Sequence, residues 1–167
     1  MRLVPLAEEH LGDVGAMLDD PDVVRFTRIP EPPPSDFPQQ WLARYEEGRR
    51  DGTREAFAAL DGGGSFVGLA LAPDIDRHGR EAELGYIVAP AARGRGAATR
   101  MLDLLTRWAF EEVGTLRLYL IIDVANPASE RVAKRCGYVR EGVMRSIHLK
   151  DGVRVDAGLW SRLASDS

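Results

Sequence analysis

The sequence predicts an α+β domain: one mixed sheet of about seven strands with about four helices packed against it. Three observations point there. Helical patterns come early, a meander of short β-prone runs follows, and one strand–helix–strand unit precedes a closing pair of strands. A chain of 167 residues with 44% hydrophobic content suits one such domain with a single sizeable core.

Residues 1–5 read as a short strand. Leu6, Leu11, Val14, Met17 and Leu18 recur at helical spacing and set a helix over 7–19. The prolines of Pro30-Glu31-Pro32-Pro33-Pro34-Ser35-Asp36-Phe37-Pro38 forbid regular hydrogen bonding, so this stretch is a loop. A helix resumes over 39–48 with Trp41, Leu42 and Tyr45. The runs 54–60 and 65–72, separated by Asp61-Gly62-Gly63-Gly64, form a hairpin. A strand over 82–89 then enters a turn rich in Arg and Gly. A helix of about 95–113 follows, with Ala97, Met101, Leu104, Leu105 and Trp108 on one face and Gly114 at its end. Residues 116–124 are the most β-prone run and read as a central strand. Asn126-Pro127 starts the next helix, with Asn as cap and Pro at the first helical position. That helix carries Val132, Ala133 and Cys136 and stops at Gly137. Strands over about 138–148 and 153–162, joined by the turn Lys150-Asp151-Gly152, complete the chain.

Charge and composition exclude several classes. The balance of 22 basic against 26 acidic residues argues against nucleic acid as the main ligand. One cysteine, Cys136, excludes an internal disulfide and a cysteine metal cluster, and no histidine pair has ligand spacing, so no metal is expected. No stretch approaches about 18 apolar residues, and Met1 is followed by Arg2 and soon by acidic residues, so neither a membrane span nor a signal peptide is read. The cytoplasm is the default location.

The stretch from Glu83 to Thr99 (Glu-Leu-Gly-Tyr-Ile-Val-Ala-Pro-Ala-Ala-Arg-Gly-Arg-Gly-Ala-Ala-Thr) carries the most chemistry. A helix entered through glycines presents unpaired N–H groups and the positive end of its dipole, which suits a phosphate-bearing ligand. Arg93 and Arg95 add charge and, geometry permitting, forked hydrogen bonds. Gly94-Arg95-Gly96-Ala97-Ala98-Thr99 nearly matches the dinucleotide pattern G-x-G-x-x-G. However, Thr99 replaces the third glycine, and no acidic residue stands about 20 positions on at a strand end. No Gly-Lys-Ser/Thr follows, which excludes a Walker loop. A turn that merely tightens a strand-to-helix junction is the remaining alternative.

Arg93-Gly94-Arg95-Gly96-Ala97-Ala98 resembles the acyl-CoA loop of the GCN5-related N-acetyltransferases, Arg/Gln-x-x-Gly-x-Gly/Ala. Three blocks, Glu83-Leu-Gly-Tyr86, Asn126-Pro-Ala-Ser129 and the run Arg131 to Arg145, resemble the narrower RimJ/RimL-type branch of ribosomal-protein N-terminal acetyltransferases. The resemblance implies a mostly antiparallel GNAT-like sheet, with acetyl-CoA as cosubstrate. It implies that Arg93, Gly94, Arg95, Gly96, Ala97 and Ala98 hold the pyrophosphate. It further implies that strand 82–89 splays from the following strand, so that main-chain groups near Ile87 and Val88 meet the pantetheine arm. One of those amides is placed to polarise the thioester carbonyl. Asn126 faces the arm in the family pattern. Homodimers are common in the branch.

Acetyl transfer needs a neutral amine and somewhere for protons to go, and an amine with a pKa of about 8 to 10 is mostly protonated at pH 7. Glu83, a carboxylate within an apolar strand at a position that serves as base in several family members, is the candidate base. A structural carboxylate capturing a buried donor is the other reading. Ser129 matches the serine assigned in that branch as proton donor to the leaving thiolate; completing the Asn126 cap is its alternative. Tyr138 and Cys136 are read as packing residues, as are Trp41, Trp108 and Trp160, with Trp41 also able to line an acceptor site. Asp123 is either an amine ligand or a turn cap, and His10, His78 and His148 are read as solvated surface histidines.

The expected partner is an amine, either a small molecule or a protein N-terminus, seated between the 25–45 segment and the 147–156 turn. Arg25 and Arg28 would favour an acceptor carrying carboxylate or phosphate, and solvated surface arginines are the alternative. A coenzyme-A-binding module without catalysis is the competing function.

Overall fold

The computed structural model describes residues 1–150 and 152–166; Asp151, in the turn expected after Lys150, lies outside them. Seven strands form one sheet in the order β1-β2-β3-β4-β5-β7-β6. They are β1 (Arg2–Pro5), β2 (Glu55–Leu60), β3 (Phe66–Asp76), β4 (Glu81–Val88), β5 (Arg117–Asp123), β6 (Val139–Lys150) and β7 (Val153–Leu163). All neighbours are antiparallel except β4 and β5, joined by the strand–helix–strand crossover that parallel pairing requires. Five helices accompany them: α1 (Leu11–Leu18), α2 (Pro21–Arg25), α3 (Phe37–Asp51), α4 (Ala97–Trp108) and α5 (Pro127–Arg135).

Helix α2 is the one the sequence reading omitted. Its signal was local: Asp20 precedes Pro21, and the Asp20 carboxylate accepts the amides of Asp22 and Val23 at 2.9 and 3.2 Å. The expected 7–19 helix is shorter, because a 3-10 turn over Glu8–His10 comes first. His10 is buried there, and its Nδ1 accepts the Ala7 amide at 3.1 Å, which corrects its reading as a surface histidine. The fourth helix ends in a π-type turn over Ala109–Val113, closed by Gly114 at φ 76°.

Strand alternation places a core on each face of the sheet, rather than the single core expected. In β2, Ala56, Ala58 and Leu60 join the core beneath α1 to α3, while Phe57 and Ala59 join the one beneath α4 and α5. The first holds Val14, Met17, Trp41, Leu42, Tyr45 and Leu69; the second holds Met101, Leu102, Leu105, Leu118 and Trp160. Trp41 lies 5.4 Å from Phe37 and 6.0 Å from Tyr45 between ring centroids, and Trp108 meets Phe57 edge-on at 5.0 Å. All three tryptophans therefore pack. No described helix is long and apolar enough to cross a membrane.

Gly68 sets how closely β3 approaches the functional strand. It pairs with Val88 at φ 154°, and a Cβ there would stand 2.1 Å from the Ile87 carbonyl oxygen. Gly68→Ala should therefore destabilise the fold by about 1–3 kcal/mol, read from the urea midpoint at constant m-value.

Candidate active site

The parallel pair β4–β5 is short. It pairs Glu81, Ala82 and Glu83 with Arg117, Leu118 and Tyr119, and the two strands have no further register partners. Beyond Glu83, β4 continues to Val88 beside β3, and β5 continues to Asp123 beside β7. The sheet thus opens into a cleft, and its β4 side carries Tyr86, Ile87 and Val88.

Two cavities occupy this cleft. One of about 490 Å³ is bordered by Ile87, Val88, Arg93, Gly94, Gly96, Ala97, Ala98 and Asn126. The other, of about 830 Å³, is bordered by Glu83, Trp41, Asp123 and His148. Phe26, Thr27, Tyr86, Ile87, Asn126 and Ser129 border both, so the cavities meet at those residues.

The smaller cavity suits a phosphate-bearing ligand. Gly94 and Gly96 are left-handed at φ 74° and 76°, which turns the chain into α4 with no side-chain cap. Among the described residues, no protein acceptor takes the amides of residues 94 to 99. These unpaired N–H groups and the dipole of a 12-residue helix converge on one mouth. Arg93 borders this cavity, but its forked hydrogen bonds go to Asp20 at 3.1 and 3.2 Å, tying the loop to the start of α2. Arg95 is exposed and borders neither cavity. Residues fit for the phosphates are thus mainly backbone ones.

At the junction, the Tyr86 hydroxyl and Ser129 Oγ are 2.8 Å apart. The Ser129 amide donates to Asn126 Oδ1 at 3.1 Å, so Asn126 caps α5 while the serine hydroxyl stays directed at Tyr86. Cap and hydroxyl contact coexist because they use different atoms of Ser129. Burial pushes the Tyr86 phenol up to about 12, so it keeps its proton at pH 7. Sequence reasoning quoted Tyr86 only as part of a motif. Its pairing with α5 was the missing information.

In the larger cavity, the Glu83 side chain is 12% exposed and accepts a hydrogen bond from the Arg28 guanidinium, which is 55% exposed. Burial raises the Glu83 carboxyl above its ordinary value, and Arg28 pulls in the opposite direction. The carboxylate is thus desolvated as a base would need, and the donor it holds is an exposed guanidinium rather than the buried donor of the alternative reading. His148 lines this cavity instead of lying free on the surface, because the end of β6 folds back over the 27–31 segment, where Lys150 Nζ donates to the Ile29 carbonyl at 2.9 Å. Its pKa is lowered, first by burial and then by Arg28, with Asp123 opposing, which favours the uncharged imidazole. The cationic side chains Arg25, Arg28, Arg44, Arg54 and Lys150 border the cavity against Glu31, Glu83 and Asp123.

Other candidates have structural duties. Asp123 Oδ1 accepts the Ala125 amide at 2.7 Å, a turn cap at the cavity rim. The Tyr138 hydroxyl bonds Thr106 Oγ1 at 2.8 Å inside the core. Cys136 is buried, and burial pushes its thiol up to about 11, which leaves it protonated and unreactive. His78 is exposed in its turn. Among the described residues no group of three or more His, Cys, Asp or Glu is placed to hold a metal ion.

Known proteins are similar to this chain. YdaF of Bacillus subtilis (strain 168) is 32% identical over 100 residues, 60% of this chain and 55% of that protein. A ribosomal-protein-serine acetyltransferase of Escherichia coli (strain K12) is 28% identical over 99 residues, 59% of this chain and 55% of that one. The matches thus span little more than half the length of these curated relatives. A crystal structure of spermidine N-acetyltransferase from Vibrio cholerae, in complex with CoA and spermine, superposes with a TM-score of 0.88 at 21% identity, covering 99% of this chain and 96% of that one. At that identity the likeness speaks for the fold. The family model described as an acetyltransferase (GNAT) domain matches residues 1–139, most of the chain, and the chain belongs to that family.

Proposed function

We propose that this chain is an acetyl-CoA-dependent N-acetyltransferase of the RimJ/RimL-like branch, which transfers the acetyl group directly to a primary amine. The observation that carries the reading is the junction. A mouth of unpaired amides suited to a diphosphate opens into the same cleft as a desolvated carboxylate, and the Tyr86–Ser129 pair lies between them. Relatives with acetyltransferase names support it.

In this reading the loop amides of residues 94 to 98 hold the pyrophosphate, and the freed edge of β4 near Ile87 and Val88 aligns the pantetheine arm. The bound coenzyme supplies an activated acetyl thioester. Glu83, directly or through water, takes a proton from the acceptor ammonium and leaves a neutral nitrogen. That nitrogen attacks the carbonyl carbon; the C–N bond forms, the C–S bond breaks, and its electron pair stays on sulfur. Ser129 gives a proton to the thiolate and is resupplied by Tyr86, whose proton returns from solvent. Glu83 passes the first amine proton to solvent, takes the amine's second proton as the C–N bond forms, and releases it in turn. The balance is one ammonium and one thioester to one amide, one thiol and one proton.

Calorimetry with CoA, followed by thiol release from acetyl-CoA across an amine panel, tests this. The expected result is saturable CoA binding together with turnover. Binding without turnover on any amine would leave a coenzyme-binding module and overturn the enzyme reading. Ser129→Ala and Tyr86→Phe should each lower kcat about 10-fold or more while leaving the CoA affinity unchanged, measured by the same two assays.

A further inference from the structure

The acceptor cavity has a charge pattern that selects among amines. Arg28 reaches from the segment between α2 and α3 across to Glu83, an exposed guanidinium over a buried carboxylate. Nearby, Arg25 stacks on Phe26 at 4.9 Å and Arg44 on Tyr45 at 5.7 Å; among the described residues neither has a carboxylate within ion-pair distance. Lys150 holds the backbone next to Arg28 through Ile29. An acceptor amine that gives its proton directly to Glu83 must reach a carboxylate that Arg28 already occupies. A purely cationic acceptor would have to displace Arg28 and leave it unpaired among other cations, an arrangement disfavoured in a cavity with reduced water.

Resting on the N-acetyltransferase reading above, we infer that the acceptor is a primary amine carrying a carboxylate or a phosphate, whose anion takes Arg28 from Glu83 while its amine takes the freed carboxylate. The exchange replaces one ion pair by two, so neither Arg28 nor Glu83 is left unmatched. The guanidinium suits the role, because its planar fork accommodates both oxyanion types with two parallel hydrogen bonds. The acceptor ammonium replaces the Arg28 guanidinium beside Glu83, so the carboxylate stays paired with a cation, now one that carries the proton to be removed. This acceptor class differs from the polyamines named for the structural relative.

The test uses thiol release from acetyl-CoA with matched pairs: β-alanine against β-alaninamide, O-phosphoethanolamine against ethanolamine, and spermidine as the polyamine arm. The expected kcat/KM is at least about 10-fold higher for an anionic member than for its neutral partner and for spermidine. The two pairs separate carboxylate from phosphate. Arg28→Ala should bring the anionic-to-neutral ratio close to one with the KM for acetyl-CoA unchanged, and Arg28→Lys should keep part of it. The ratio cancels any general effect on Glu83, and Arg28 is exposed, so folding is not at stake. Preference for spermidine or a neutral amine, or a ratio that survives Arg28→Ala, overturns the inference. Turnover of none of the anionic arms while another amine is acetylated also overturns it and leaves the enzyme reading intact. Failure to bind CoA, or no turnover on any amine, would instead overturn the enzyme reading on which it rests.

Discussion

Glu83→Gln lowers kcat/KM for amine acetylation by about 10²- to 10⁴-fold, the range over which a positioned proton acceptor contributes, while the calorimetric affinity for CoA stays as in the unaltered chain. Glutamine keeps the shape and can still accept a hydrogen bond from Arg28, so packing is preserved. What it removes is the capacity to take a proton. The pH dependence provides a second readout. A carboxylate serves as base only when ionised, so activity falls as pH drops through its pKa. Burial raises that pKa above 4.5, with Arg28 partly opposing, and the acid limb due to Glu83 therefore lies above the ordinary glutamate range. In Glu83→Gln this limb disappears and only the titration of the acceptor amine remains. Unchanged turnover with an unchanged acid limb would assign Glu83 to structure alone, as the acceptor of Arg28.

Gly96→Val abolishes CoA binding within the millimolar range, and turnover with it. Gly96 stands at φ 76° as the residue from which α4 starts, a backbone state that costs an L-residue about 1–2 kcal/mol. A Cβ there would meet no protein atom within 4 Å, so the side chain enters the open mouth rather than the core. It would then hold a diphosphate away from the amides of residues 94 to 98, and hydrogen bonds to the helix terminus would be lost. Gly64→Val is the matched control. That position is also left-handed at φ 87° and open, but it lies in the β2–β3 hairpin. It should suffer a similar loss of stability and bind CoA normally. Equal loss of binding in both variants would trace the effect to folding instead of the site.

Much of this was legible before any coordinates. The strands, the hairpin at Asp61 to Gly64 and the caps at Asn126, Gly114 and Gly137 follow from local chemistry, and they fall within a few residues of their expected places. The omitted helix α2 was legible too, in Asp20-Pro21, but at five residues it is too short to show an apolar period. The histidines were not. His10 follows two glutamates and His148 stands between Ile147 and Leu149 in a strand, and only packing against distant segments buries the first and turns the second into a cavity. Arg93 likewise matched a ligand-binding pattern, while its guanidinium is held by Asp20, 73 positions earlier.

By itself the sequence determined the glycine-led entry to α4, because a phosphate-binding mouth is built from consecutive backbone amides and needs only the right dihedrals over six residues. It determined the family for the same reason, through contiguous blocks. Only the tertiary structure decided which groups share the cleft. Arg28 covers Glu83 from 55 positions away and Tyr86 meets Ser129 across 43, contacts that no local spacing encodes. The charge, burial and proton affinity of a side chain depend on what the rest of the chain brings beside it, and those are the quantities that choose an acceptor.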